Sequence, residues 1–62
     1  MKIILNGKNY EVEDNSTVFD VLGAAKINSE TVLVKRESRL IPHDMKLGDG
    51  DSIETITVIS GG

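Results

Sequence analysis

The sequence predicts an α+β domain in which one helix packs across one face of a mixed sheet of four to five strands. Three observations carry that expectation. An Asn6-Gly7 pair separates two strand-like stretches, a helical stripe follows a run of cap-forming residues, and two more groups of β-branched residues come after it. With 62 residues there is room for one core, since a domain this short buries only about 60% of its unfolded surface. Residues 1–62 are expected to form a single domain, with 59–62 as a C-terminal tail.

Lys2 to Leu5 is apolar and β-branched, with Ile3 and Leu5 on one face and Ile4 on the other. Asn6 and Gly7 both tolerate positive φ, the requirement of a two-residue hairpin turn. Beyond it, Lys8 to Glu13 alternates, with Tyr10 and Val12 between polar neighbours. Asp14-Asn15-Ser16-Thr17 then offers a helix start, with either Thr17 or Ser16 as the cap and Asp20 completing a capping box with Thr17. Val18, Val21, Leu22 and Ala25 fall at i, i+3, i+4 and i+7 of one helical stripe that fades near Lys26. Gly23 inside it costs about 1 kcal/mol relative to Ala, tolerable if another element packs closely over it.

Thr31 to Lys35 reads as the third strand, and Arg39-Leu40-Ile41 as a short one ended by Pro42. That proline suits an edge strand, because it cannot donate to a ladder. His43 to Leu47 reads as one irregular turn, with His43 in solvent, and Gly48-Asp49-Gly50-Asp51 as a tight polar turn. Ser52 to Ser60 is the longest strand candidate. One helix between two strand groups in so short a chain must cross one face of a single sheet, and such a crossover lets the first strand run parallel to a later one. That order is the β-grasp (ubiquitin-like) arrangement.

Ile3, Leu5, Val12, Val18, Leu22, Val32, Val34, Leu47 and Ile53 are expected to face the helix. Ile4, Ile56 and Val58 then fall on the opposite face, with Ile4 close to Ile56 because the first and last strands are neighbours in this arrangement. An exposed apolar patch of that kind is a candidate docking site for a partner.

Composition excludes several functions. The chain has no Cys and one His, so a disulfide, a thiolate metal site, a Cys nucleophile and a His cluster are all ruled out. Seven Lys and Arg against ten Asp and Glu give a formal net charge of −3, against non-specific nucleic-acid binding. Asp49 and Asp51 read as hydrogen-bond acceptors of a turn and not as metal ligands. No acid–base or nucleophile constellation is present, so the chain is not expected to be an enzyme. The apolar run after Met1 stops at Asn6-Gly7, too early for a signal peptide, and no segment is long enough to span a membrane. A soluble, cytoplasmic protein is expected.

The stretch Leu47-Gly48-Asp49-Gly50-Asp51-Ser52-Ile53-Glu54, followed by Val58-Ile59-Ser60-Gly61-Gly62, resembles the end of the ubiquitin-like β-grasp sulfur carriers. The closest families are ThiS, of the thiamin pathway, and MoaD, the small subunit of molybdopterin synthase; small archaeal ubiquitin-like modifiers are also similar. The likeness extends over the whole chain: Asn6-Gly7 matches the first hairpin, Ser16-Thr17-Val18 the start of the helix, and Arg39-Leu40-Ile41-Pro42 the short strand. Arg36-Glu37-Ser38 departs from it, standing where these carriers often have Asn-Gly, which implies a longer turn or one of another type.

The resemblance implies that Gly62 is the reacting residue, adenylated by an E1-like enzyme and converted to a thiocarboxylate. That group would donate sulfur to thiamin or molybdopterin synthesis or to tRNA thiolation. Ile59, Ser60 and Gly61 would thread the partner's channel; fully extended, the last four residues span about 13 Å at ~3.3 Å per residue. Catalysis would belong to the partner, with ATP and Mg used there and no cofactor bound by this chain. The expected partners are the E1-like adenylating enzyme and a sulfur-accepting synthase or tRNA-thiolation enzyme, with no direct contact to nucleic acid or membrane. Docking would use the sheet face that carries Ile4, Ile56 and Val58. The alternative is a ubiquitin-like modifier conjugated through Gly62 to target lysines. A regulatory β-grasp domain is a third reading, and its binding would survive removal of Gly61-Gly62.

Overall fold

The structure, a computed structural model, describes residues 1–58. Its strands are β1 (Lys2–Leu5), β2 (Lys8–Glu11), β3 (Val32–Arg36), β4 (Arg39–Ile41) and β5 (Ser52–Thr57), with helix α1 (Val18–Ala24) between β2 and β3. They form one five-stranded mixed sheet in the order β2-β1-β5-β3-β4. β1 and β5 pair in parallel at its centre, and the remaining pairs are antiparallel. This is the expected β-grasp arrangement.

The Asn6-Gly7 turn forms as expected, with φ of 51° and 83°. Asn6 also works at longer range. Its backbone N–H donates to the Ile53 carbonyl at 3.0 Å, and its side-chain amide exchanges two hydrogen bonds with Thr55, at 2.9 and 3.0 Å. One residue thus turns the first hairpin and continues the β1–β5 seam beyond the last backbone pair.

Thr17 is the helix cap, because the Asp20 carboxylate accepts from both its backbone N–H (2.9 Å) and its hydroxyl (3.2 Å). Ser16 is buried instead, its hydroxyl donating to the Glu13 carbonyl at 2.6 Å. The first N–H groups of a helix have no partner within it. Here the His43–Leu47 segment supplies them: Val18 N–H donates to Met45 O at 3.1 Å and Phe19 N–H to His43 O at 3.0 Å. The apparently irregular turn is therefore the cap of α1. It also brings the His43 ring edge-on to Phe19, centroids 5.4 Å apart, so His43 is half-buried, contrary to the solvent position expected of it.

The core consists of Ile3, Leu5, Val18, Val21, Leu22, Val32, Val34, Leu47 and Ile53. Val21, left out of the expected set, is fully buried, whereas Val12 is only half-buried at the core margin. Three expectations are corrected. Thr31 belongs to a 3₁₀ turn, Ser29–Thr31, and β3 starts one residue later. Gly23 is exposed, and a Cβ there would meet nothing within 4 Å, so close packing is not its reason. Glu37 and Ser38 form a two-residue turn with φ of 52° and 66°, between paired Arg36 and Arg39. It is the same shape as Asn6-Gly7, not a longer one, built from residues that pay to enter the left-handed region.

Candidate functional site

The helix covers one sheet face, and the other is open. Cross-strand partners share a face, so the register fixes what the open face carries. Leu33 pairs with Ile56, Lys35 with both Glu54 and Leu40, and Ile4 with Ser52. Leu33 and Ile56 are 43% and 41% exposed, and Leu40, on the edge strand, is 62% exposed. Val58, one residue past β5, is exposed to a similar degree. These four residues place an apolar surface on the β3–β5 half of the sheet, beside the strand that leads to the C-terminus.

The expected neighbourhood of Ile4 and Ile56 is not formed. Ile4 stands beside Ser52, four residues before Ile56, an offset of about 13 Å at ~3.3 Å per residue. It is half-buried on the β1 side of the face. Ile56 finds Leu33 instead, a residue that sequence reasoning passed over along with Leu40. Each is a lone apolar residue in a short strand, which satisfies β-propensity equally well in a solvated position. Only the β3–β5 and β3–β4 registers bring them together.

The β1–β5 register has a visible cause. The Asp49 carboxylate accepts from Lys2 N–H at 2.7 Å, Gly50 N–H donates to Lys2 O at 2.7 Å, and Ile4 N–H donates to Asp51 O at 2.8 Å. Asp51 accepts from Gly48 N–H at 2.7 Å and from the Arg36 guanidinium at 3.2 Å. Both turn acids are thus hydrogen-bond acceptors, as their place in a polar turn suggests, and Gly50 takes the positive φ of 86°. Lys35 and Arg36 are each paired, Lys35 with Glu54 at 3.9 Å and Arg36 with Asp51. Among the described residues no group of three or more His, Cys, Asp or Glu is placed to hold a metal, and no helix is long and apolar enough to cross a membrane.

A cleft lined by Arg36, Glu37, Arg39, Leu40, Ile41, Pro42 and Met45 lies at the β3–β4 hairpin. It is at the far end of the sheet from Val58, because β5 runs antiparallel to β3 and leaves beside Val32. At the other end, Val58 N–H donates to Thr31 O at 2.8 Å. Beyond it, Ile59, Ser60, Gly61 and Gly62, the residues named for the reactive tail, lie outside the described residues, as does the Ile59–Ser60 part of the expected last strand.

Three comparisons bear on the family of this chain. The chain is 30% identical over 66 residues to a thiazole synthase of Paramagnetospirillum magneticum, a match that takes in all of this chain but 20% of that protein's length. Its fold superposes on the crystal structure of the thiamine biosynthesis protein ThiS of Geobacter metallireducens with a TM-score of 0.75 and 28% identity, covering 100% of both chains. Residues 3–62 match the ThiS family, a span that includes the terminal Gly-Gly. The chain, a β-grasp protein of the ThiS/MoaD-like sulfur-carrier type, belongs to the ThiS family.

Proposed function

We propose that this chain is a sulfur carrier of thiamin biosynthesis, a protein co-substrate that reacts through Gly62 and catalyses nothing itself. The observation that carries the reading is the family match running through Gly61-Gly62, in a fold whose open apolar surface lies beside the strand that leads there. In this reading residues 1–62 act as one β-grasp domain with 59–62 as its tail, in the cytoplasm where ATP is available.

The chemistry needs only a terminal carboxylate, which is ionised at neutral pH. One of its oxygens attacks the α-phosphorus of ATP in an E1-like enzyme, where Mg is also held, and pyrophosphate leaves. A sulfur donor at the oxidation level of hydrosulfide then attacks the carbonyl carbon, AMP leaves, and a thiocarboxylate remains. Gly61 and Gly62 suit a narrow channel because they lack a Cβ and let other groups approach closely. Ile59 and Ser60 would thread the same channel. Docking would use Ile56, Val58, Leu33 and Leu40, with Ile4 at the margin.

The thiazole synthase relative favours thiazole formation as the client. In that protein, a segment similar to this chain shares a polypeptide with a thiazole-forming enzyme. The test is ATP–pyrophosphate exchange with an E1-like adenylating enzyme from the same organism. The full chain should support exchange, and removal of Gly61-Gly62 should abolish it while the fold survives. Exchange that persists in the truncated chain would refute the reading.

A further inference from the structure

Asn6 precedes the residue type that most easily attacks it. A backbone nitrogen that loses its proton can add to the side-chain amide carbon of the asparagine before it, closing a five-membered succinimide. A side chain on the attacking residue obstructs that approach. Gly7 has none: it is exposed, and nothing lies within 4 Å of where its Cβ would stand. The Asn6 amide, however, is engaged at both ends. Its nitrogen donates to the Thr55 hydroxyl at 2.9 Å, and its oxygen accepts from the Thr55 N–H at 3.0 Å. Both partners lie on β5, across the seam from the turn. A backbone N–H only donates, so the amide has one orientation there. To reach the Gly7 nitrogen, the amide carbon must swing about the Cα–Cβ bond out of its staggered well, and both bonds to Thr55 break. The Asn6 N–H, donating to the Ile53 carbonyl at 3.0 Å, holds the turn against the same seam.

We propose that Asn6 is a deamidation site that Thr55 keeps closed for as long as β1 and β5 stay paired. When the seam opens, the Gly7 nitrogen adds to the Asn6 amide carbon, the side-chain carbon–nitrogen bond breaks and ammonia leaves. Water then opens the succinimide at either carbonyl carbon and leaves aspartate or isoaspartate. The balance is water in and ammonia out, with nothing oxidised or reduced. Aspartate keeps an acceptor for the Thr55 N–H. Isoaspartate carries the main chain through its side-chain carbon and lengthens by a methylene the two-residue turn between paired Leu5 and Lys8. The β1–β2 and β1–β5 pairs meet at that point, so isoaspartate marks a chain whose central seam has opened and hinders its return to register.

The experiment holds the full chain at mildly alkaline pH and follows the peptide containing Asn6 by mass spectrometry, with isoaspartate separated by chromatography. In denaturant Asn6 should be the first asparagine of the chain to be lost. In the folded protein its loss should be slower by about tenfold or more, because it waits on local opening. Thr55→Val, which removes the acceptor hydroxyl, should speed that loss about fivefold, the weight of one ordinary hydrogen bond. Thr55→Ser should keep the wild-type rate, as should Thr57→Val in the same strand, and in denaturant all the variants should behave alike. Leu22 amide exchange, a measure of unfolding elsewhere, should stay unchanged throughout. Loss of Asn6 from the folded chain as fast as in denaturant would overturn the proposal, as would a Thr55→Val rate equal to wild type. A faster rate in Thr55→Val matched by an equal loss of Leu22 protection would assign the effect to global unfolding and overturn it too.

Discussion

The two faces of the sheet are built from similar residues and serve different ends. On the covered face, Ile3, Leu5, Val34 and Ile53 are almost wholly removed from water against Val18, Val21 and Leu22. On the open face Leu33, Leu40 and Ile56 remain between two-fifths and two-thirds exposed, around the Lys35–Glu54 ion pair. An apolar side chain stabilises a fold in proportion to the area it removes from water. The open-face residues therefore do less for folding than their composition suggests, and their apolar area stays available to a partner.

That contrast can be broken most forcefully from the covered side. Leu22→Ala should cost about 2–5 kcal/mol, a large share of what a small domain has, and denaturant unfolding would show it as a collapse of the midpoint. From the open side, Ile56→Ser should change stability by less than about 1 kcal/mol. It should nevertheless weaken binding to the E1-like partner by about tenfold or more, as loss of an interface anchor does. Titration calorimetry paired with thermal melting separates the two quantities. If Ile56→Ser destabilised the fold as much as Leu22→Ala, the division between the faces would be wrong.

Two substitutions away from both faces sharpen the comparison with smaller effects. Replacing Glu37-Ser38 by Asn-Gly supplies residues that enter the left-handed region easily and should stabilise the chain by about 1 kcal/mol. Gly23→Ala should add about 0.5–1 kcal/mol, because nothing stands within 4 Å of the new methyl group. Neither should alter affinity for the partner. A change in affinity from either would extend the docking surface to the helix or to the Glu37-Ser38 turn.

The covered face was legible in the sequence because alternation and helical spacing report burial directly. Val18, Leu22, Ile3, Leu5 and Ile53 follow from it. The open face was legible only in part: Ile56 and Val58 stand out as apolar residues left over from the core, but their neighbours depend on register between distant strands. Those neighbours, Leu33 and Leu40, come from the β3–β5 and β3–β4 registers, which no local pattern announces. The Glu37-Ser38 turn escaped for a related reason, since its positive φ values are imposed by strand pairing against local preference. The Gly-Gly ending was plain in the sequence, while its chemistry depends on a partner.

The central claim is that Gly62 carries sulfur, and mass spectrometry of the C-terminal peptide of the protein isolated from its native cells tests it most directly. The account predicts a population in which Gly62 is heavier by the exchange of one oxygen for sulfur. That population should vanish when the adenylating enzyme is deleted. A Gly62 found only as the plain carboxylate, or only joined through an isopeptide bond to lysine, would contradict it.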